Sequence, residues 1–167
     1  MAIIDDDDIP IVRGSSDGRG LRVAVVTARY NDFVTDALRD GAVAALTEAG
    51  VAVDALLLVP VPGAFEVVGA ARSVAARGGV DAVVCLGCLI RGDTPHFEYI
   101  ASAVAHGIAA AASATDTPMS FGILTTNSVE EALERCRPDP SNKGREAAMA
   151  AIEMATLGRA MSARMSR

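Results

Sequence analysis

Between Leu86 and Phe97 an apolar run breaks into Gly92, Asp93, Thr94, Pro95 and His96 before a helical pattern resumes. In an open α/β sheet this is how a strand delivers polar groups to its carboxyl end, where ligands bind. Gly92, Asp93 and Thr94 set backbone amides just ahead of a helix, an arrangement that holds an anion. The acidic side chain of Asp93 favours contact through its backbone. His96 carries the group whose ordinary pKa lies near neutrality, so it is the candidate proton carrier, although a histidine in a first helical turn also serves structurally. His106 falls in mid-helix and reads as structural. One half of the stretch is suited to holding an anion and the other to moving a proton.

Three further polar clusters close apolar runs: Arg29-Tyr30-Asn31, Gly63-Ala64-Phe65-Glu66 and Thr125-Thr126-Asn127. If the runs are parallel strands, all the clusters lie on one edge of the sheet, and that convergence marks a site. Tyr30 offers a flat face and Asn31 an amide, a pair suited to a planar heterocycle; a tyrosine also caps the edge of a core. Glu66, in an apolar context, faces a cleft or a partner, or complements a helix dipole. Arg135 and Lys143 bracket the turn Pro138-Asp139-Pro140-Ser141 and either supply charge to a phosphate or are simply solvated.

The elements that must position these groups are read from periodicity. Apolar, β-branched runs at 22–27, 53–59, 81–90 and 119–124 read as strands, the second buried and ended by Pro60 and Pro62. Asp32 caps a helix that runs to about Ala49 and stops at Gly50. A second helix spans Phe65 to Arg77 and closes at Gly78-Gly79. Phe97, Ile100, Ala101, Val104 and Ile108 give the third. Ser128 with Glu131 forms a capping box for a short helix to about Arg135, and Asn142 caps a last helix reaching about Met161. Alternating strands and helices predict a four-stranded parallel sheet between helical layers, an α/β three-layer sandwich with right-handed crossovers. Residues 1–20 read as a polar arm, with an apolar fleck at Ile9-Pro10-Ile11-Val12, that is ordered only where it lies on something else. Residues 21–167 read as a single domain.

Composition excludes several classes. The net charge of −6 comes without a basic cluster, which argues against nucleic acid. No apolar run approaches the ~18 residues of a membrane span. Asp5 to Asp8 stand where a signal peptide would need positive charge, so a cytoplasmic protein is expected. Cys85 and Cys88 spell CxxC but fall inside a strand on opposite faces, so they read, with Cys136, as small buried residues rather than a redox pair. With no second cysteine pair and two histidines there is no zinc set. Half the residues are apolar, rich in alanine and poor in aromatics, as expected of a chain that hides further apolar surface against copies of itself.

Taken together, Val59-Pro60-x-Pro62-Gly63-Ala64-Phe65-Glu66, Gly87-x-x-Ile90-Arg91-Gly92-x-Thr94-x-His96-Phe97, Phe121-Gly122-x-Leu124-Thr125 and Asn142-Lys143-Gly144 closely resemble the 6,7-dimethyl-8-ribityllumazine synthase family, from about Leu21 to Arg159. The resemblance implies a flavodoxin-like fold and the penultimate step of riboflavin synthesis, without a cofactor. In that step 5-amino-6-(D-ribitylamino)uracil condenses with 3,4-dihydroxy-2-butanone 4-phosphate, releasing phosphate and water. It also implies roles by position. Tyr30, here a tyrosine where phenylalanine or tryptophan is usual, stacks on the pyrimidine beside Asn31. Ala64, Phe65 and Glu66 hold the ribityl chain, and Cys88, Leu89 and Ile90 line the ring pocket. Asp93, where the family commonly has alanine, binds phosphate through its amide, together with Thr94 and Arg135, and His96 is the acid/base residue.

Phe121, Arg135 and Lys143 come, in the resemblance, from a neighbouring subunit, which implies a homo-oligomer of at least five chains. The short segment from Arg135 to Lys143 lacks an insertion often carried by pentamer-only members, and pentamer and sixty-subunit shell both stay open. The arm is expected to add an edge strand to a neighbour as far as Pro10 allows. Competing readings are a non-catalytic flavin or lumazine binder, a purely structural cage protein, and an FMN-binding flavodoxin. The first would lose the phosphate set and the second the site. The third needs a Ser/Thr-rich loop where Arg29-Tyr30-Asn31 stands.

Overall fold

Two strands are buried along nearly their whole length: β1 (Val23–Ala28) throughout, and β3 (Ala82–Ile90) up to Cys88. They are the interior pair of a four-stranded, all-parallel sheet in the order β2-β1-β3-β4. Continuous apolar runs are what such doubly covered strands require. The structure, a computed structural model, describes residues 9–166; residues 1–8 of the arm, with Asp5 to Asp8, and Arg167 lie outside the described residues. The edges are β2 (Leu56–Val61) and β4 (Met119–Thr126). Register carries Val59, Val26, Cys85 and Phe121 across the sheet in one row.

The helices are α1 (Asp32–Glu48), α2 (Ala64–Ala76), α3 (His96–Thr115), α4 (Val129–Arg135) and α5 (Lys143–Met165). One core lies between the sheet and α1, α4 and α5, built on Val23, Val25, Leu38, Leu86 and Ile152. The other lies under α2 and α3, around Val26, Val67, Val104 and Ile108. The three-layer α/β sandwich is therefore as the alternation of runs predicts. Cys88 belongs to the first core and Cys85 to the second, so the CxxC residues do point to opposite faces.

Four local expectations are corrected. The stretch from Val53 begins as a turn of 3₁₀ helix (Val53–Ala55), and the strand starts at Leu56 and continues through Pro60 to Val61. It is not buried: Leu57 and Leu58 are 47% and 50% exposed, because β2 is an edge strand. An edge is also where a proline, with no N–H for a ladder, is tolerated. The cap of α1 is Asn31 rather than Asp32, in the left-handed conformation at φ 61° and without a side-chain cap bond. The last helix runs on to Met165.

The arm is docked where it meets the domain. Ser15 donates its N–H to Thr156 Oγ1 at 2.8 Å, and Gly18 donates to the Ala49 carbonyl at 2.8 Å. Ile9 and Ile11 remain more than half exposed. No helix among the described residues is long and apolar enough to cross a membrane.

Candidate active site

Because every strand is parallel, the carboxyl ends of β1, β2 and β3 open onto one edge, and the segments that follow them build a single cleft of about 570 Å³. Arg29 and Tyr30 continue the end of β1 alongside β2, their N–H groups donating to the Val61 and Pro62 carbonyls at 2.8 and 3.0 Å. Asn31 then turns the chain into α1, and its Nδ2 donates to the Cys88 carbonyl at 2.9 Å. That bond ties the β1 and β3 ends together and uses the amide nitrogen of Asn31 rather than its oxygen.

On the β2 side, Gly63 enters α2 in extended backbone, and the Glu66 N–H closes the first turn on the Gly63 carbonyl at 3.2 Å. Ala64 packs at the sheet end against Gly87, where an added Cβ would stand 3.3 Å from that of Ala64 and 3.1 Å from Ile123 Cδ1. A side chain at position 87 would need Ile123 and Ala64 to give by a few tenths of an ångström, so the small residue there suits the close seat of the helix that carries Phe65 and Glu66. From β3 come Cys88, buried, with Leu89 and Ile90, half-buried. The next turn adds Gly92, Thr94 and His96.

Tyr30, Asn31, Ala64, Phe65, Glu66, Cys88, Leu89, Ile90, Thr94 and His96 thus share one cleft. Tyr30 and Phe65 are 72% and 56% exposed, an aromatic pair open to a ligand. Asp93 is exposed and does not itself line the cleft, while its neighbours Gly92 and Thr94 do. Among the described residues no lysine or arginine lines it.

Phe121, Arg135 and Lys143 stand elsewhere. They line a trough of about 550 Å³ along the outer edge strand β4, between α3 and α5, with Met119, Met154 and Thr125. Phe121 is 49% exposed on that edge. Thr125, inside β4, lines this trough and not the cleft, while Asn127, the residue past β4, lies at the same edge of the sheet as the other three clusters and accepts from Arg91 Nε at 3.0 Å. Arg135 Nη1 donates to the Glu131 carbonyl at 2.8 Å, and Lys143 pairs with Glu146. Lys143 is set by Asn142, whose buried amide caps α5 by accepting from Gly144 N at 2.8 Å. The same amide donates to the carbonyls of Ala37, Cys136 and Arg137 at 3.2, 2.9 and 3.0 Å. The Ser128–Glu131 capping box opens α4 as predicted on one side, Glu131 N–H donating to Ser128 Oγ; the Glu131 carboxylate reaches back to Asn127 N–H rather than to Ser128.

Burial raises the Cys88 thiol to about 11 and the Cys85 thiol to about 12, so neither is a nucleophile near neutrality. Glu98, in the first turn of α3, is held below the usual carboxylate range by its own backbone amide and then by Arg91. Phe97 and Ile100 line the cleft as well, although helical spacing marks them only as core positions. Their place at the first turn of a helix following a polar strand end was the available signal.

The cleft offers aromatic faces, a carboxylate, a hydroxyl-bearing turn ahead of a helix and an imidazole. The trough offers an aromatic edge and two cations. A family model described as 6,7-dimethyl-8-ribityllumazine synthase matches residues 20–159 of the chain.

Proposed function

The chain belongs to the 6,7-dimethyl-8-ribityllumazine synthase family, transferases of riboflavin biosynthesis, and from that premise we propose how its two surfaces divide the work. The cleft takes the pyrimidine against Tyr30, with the Asn31 amide oxygen on the ring and Glu66 accepting hydroxyl bonds from the ribityl chain. Cys88, Leu89 and Ile90 floor the ring site, and Ala64 and Phe65 wall it. The backbone at Asp93 and the Thr94 hydroxyl hold the phosphate of 3,4-dihydroxy-2-butanone 4-phosphate from one side. The trough of a second copy closes the cleft, bringing Phe121, Arg135 and Lys143 to it.

One observation carries this reading: among the described residues no lysine or arginine lines the cleft, whereas Arg135 and Lys143 line the trough. A phosphate monoester carries close to two negative charges at neutral pH, and arginine binds such a group through a planar fork. A second copy supplies what the first lacks. The working form is then a homo-oligomer, a pentamer or a shell of pentamers, in which the half-exposed Leu57 and Leu58 of β2 also find cover, the neighbour's arm being one source. Cytoplasmic location is part of the same proposal.

In the reaction the amine of the pyrimidine attacks the ketone to give an imine with loss of one water, phosphate leaves by elimination to an enol, and the second nitrogen closes the ring on the carbonyl formed from that enol with loss of a second water. Both substrates are intrinsically reactive, so holding them in one orientation supplies much of the acceleration. His96 moves the protons of the imine and elimination steps. The test is Arg135→Ala in a steady-state assay of lumazine formation above the uncatalysed background. KM for the phosphate substrate rises roughly tenfold or more, as expected for loss of a charge-assisted contact, while KM for the pyrimidine stays near the wild-type value. An unchanged KM for the phosphate substrate contradicts the assignment.

A further inference from the structure

The turn that carries Thr94 and His96 into the cleft is tied down by one side chain. Arg91, the first residue past β3, donates from Nε to Asn127 Oδ1 at 3.0 Å and from Nη1 to Glu98 Oε1. Its guanidinium carbon lies 4.5 Å from the centroid of the Phe97 ring. Its backbone N–H donates to the Thr126 carbonyl at 2.9 Å. A single planar group therefore joins the ends of β3 and β4 to the first turn of α3. Between Gly92 and Phe97 no side chain makes a hydrogen bond among the described residues, and Pro95 caps α3 without a side-chain bond. The turn is exposed and carries no buried residue, and the Pro95 carbonyl accepts from the Tyr99 N–H at 3.4 Å at the start of α3, a bond that does not reach β3 or β4.

We propose that Arg91 is a positioning residue for the reaction, fixing the direction from which His96 enters the cleft by clamping the first turn of α3 to the ends of β3 and β4. The proposal rests on the reading of His96 as proton carrier. Arginine suits the task because its fork is pre-organised, stacks on an aromatic ring and meets two acceptors in one plane; a lysine offers a point charge and none of that geometry. The pair with Glu98 is half-exposed, so it contributes little to global stability. Its loss leaves the fold standing and frees the turn. A displacement on the order of 1 Å in a catalytic arrangement lowers a rate about a hundredfold, and His96 itself supplies on the order of 10²–10⁴.

The experiment is a double-mutant cycle on the full chain in its assembled form, with kcat and KM measured above the uncatalysed condensation and the thermal midpoint recorded for each variant. Arg91→Ala lowers kcat roughly ten- to a hundredfold while the midpoint and KM for the pyrimidine stay near wild type. His96→Ala slows turnover without abolishing it. Adding Arg91→Ala to His96→Ala changes kcat by less than about twofold, because a residue that acts through another is non-additive with it. Asn127→Ala, which leaves Arg91 in place and removes one of its partners, shows a smaller loss with the same dependence on His96.

Equal losses from Arg91→Ala in the wild-type and His96→Ala backgrounds overturn the proposal and leave the role of His96 standing. So does a wild-type rate in Arg91→Ala. A wild-type rate in His96→Ala instead removes His96 from the mechanism, and the positioning role of Arg91 falls with it.

Discussion

Cys85 and Cys88 lie three residues apart on β3, and their thiols enter opposite helical layers, where burial holds both in the protonated form. The sign of the consequence is fixed. From the ordinary thiol value of 9.0 up to about 11 for Cys88 and about 12 for Cys85, the unfolded chain loses protons that the folded chain keeps. Stability is untouched below pH 9 by this linkage and falls as pH rises above it. Denaturant midpoints measured from pH 7 to 11 therefore drop more steeply for the wild type than for a Cys85→Ala, Cys88→Ala variant. Parallel pH profiles would contradict the burial argument. At this scale much of the site was legible, since Tyr30, Glu66, Thr94 and His96 announce themselves by type at strand ends. Asn31 was only half legible: its place beside Tyr30 suggested a ligand amide, but its nitrogen spans to the Cys88 carbonyl, 57 positions along the chain, and nothing local signals that bond. The Arg91–Asn127 contact, 36 positions apart, was hidden for the same reason.

Among the elements, the meeting of α1 and the start of α5 sets where Lys143 stands. Gly144 lies so close to α1 that an added Cβ would sit 1.9 Å from the Leu38 carbonyl oxygen, a backbone atom that cannot swing aside. Gly144→Ala therefore costs about 1–3 kcal/mol of overpacking and moves the first turn of α5. The checks are a lowered denaturant midpoint and a weakened phosphate substrate in the same variant; a midpoint at the wild-type value would contradict the close approach. Helix order and the α5 cap could be read from Asn142 and the apolar spacing, and the structure agrees. β2 could not. Leu56, Leu57 and Leu58 read as a covered strand, because an apolar run looks the same whether its cover comes from its own chain or from another. The strand's edge position in the order β2-β1-β3-β4 is a property of the whole sheet.

For the whole molecule, the central feature is two separate hollows, a cleft lined by Tyr30, Asn31, Glu66, Thr94 and His96 and a trough lined by Arg135 and Lys143, which the proposed function makes two halves of one site. Parallel topology predicted that all four strand ends share one edge, and they do; what it did not show is that Thr125, inside β4, lines the trough rather than the cleft. The trough itself comes from the arrangement of α3 and α5 around that edge strand. If the working site lies between subunits, two damaged chains can repair one another. A Glu66→Ala chain keeps an intact trough, and an Arg135→Ala chain keeps an intact cleft. The most direct measurement is to dissociate the two variants, mix them in equal amounts, reassemble them and assay lumazine formation. Random mixing pairs an intact cleft with an intact trough at about a quarter of the interfaces, so the mixture regains activity well above that of either variant reassembled alone. Activity equal to the mean of the two parents would mean that each chain carries its own complete site, and the shared-site account would be wrong.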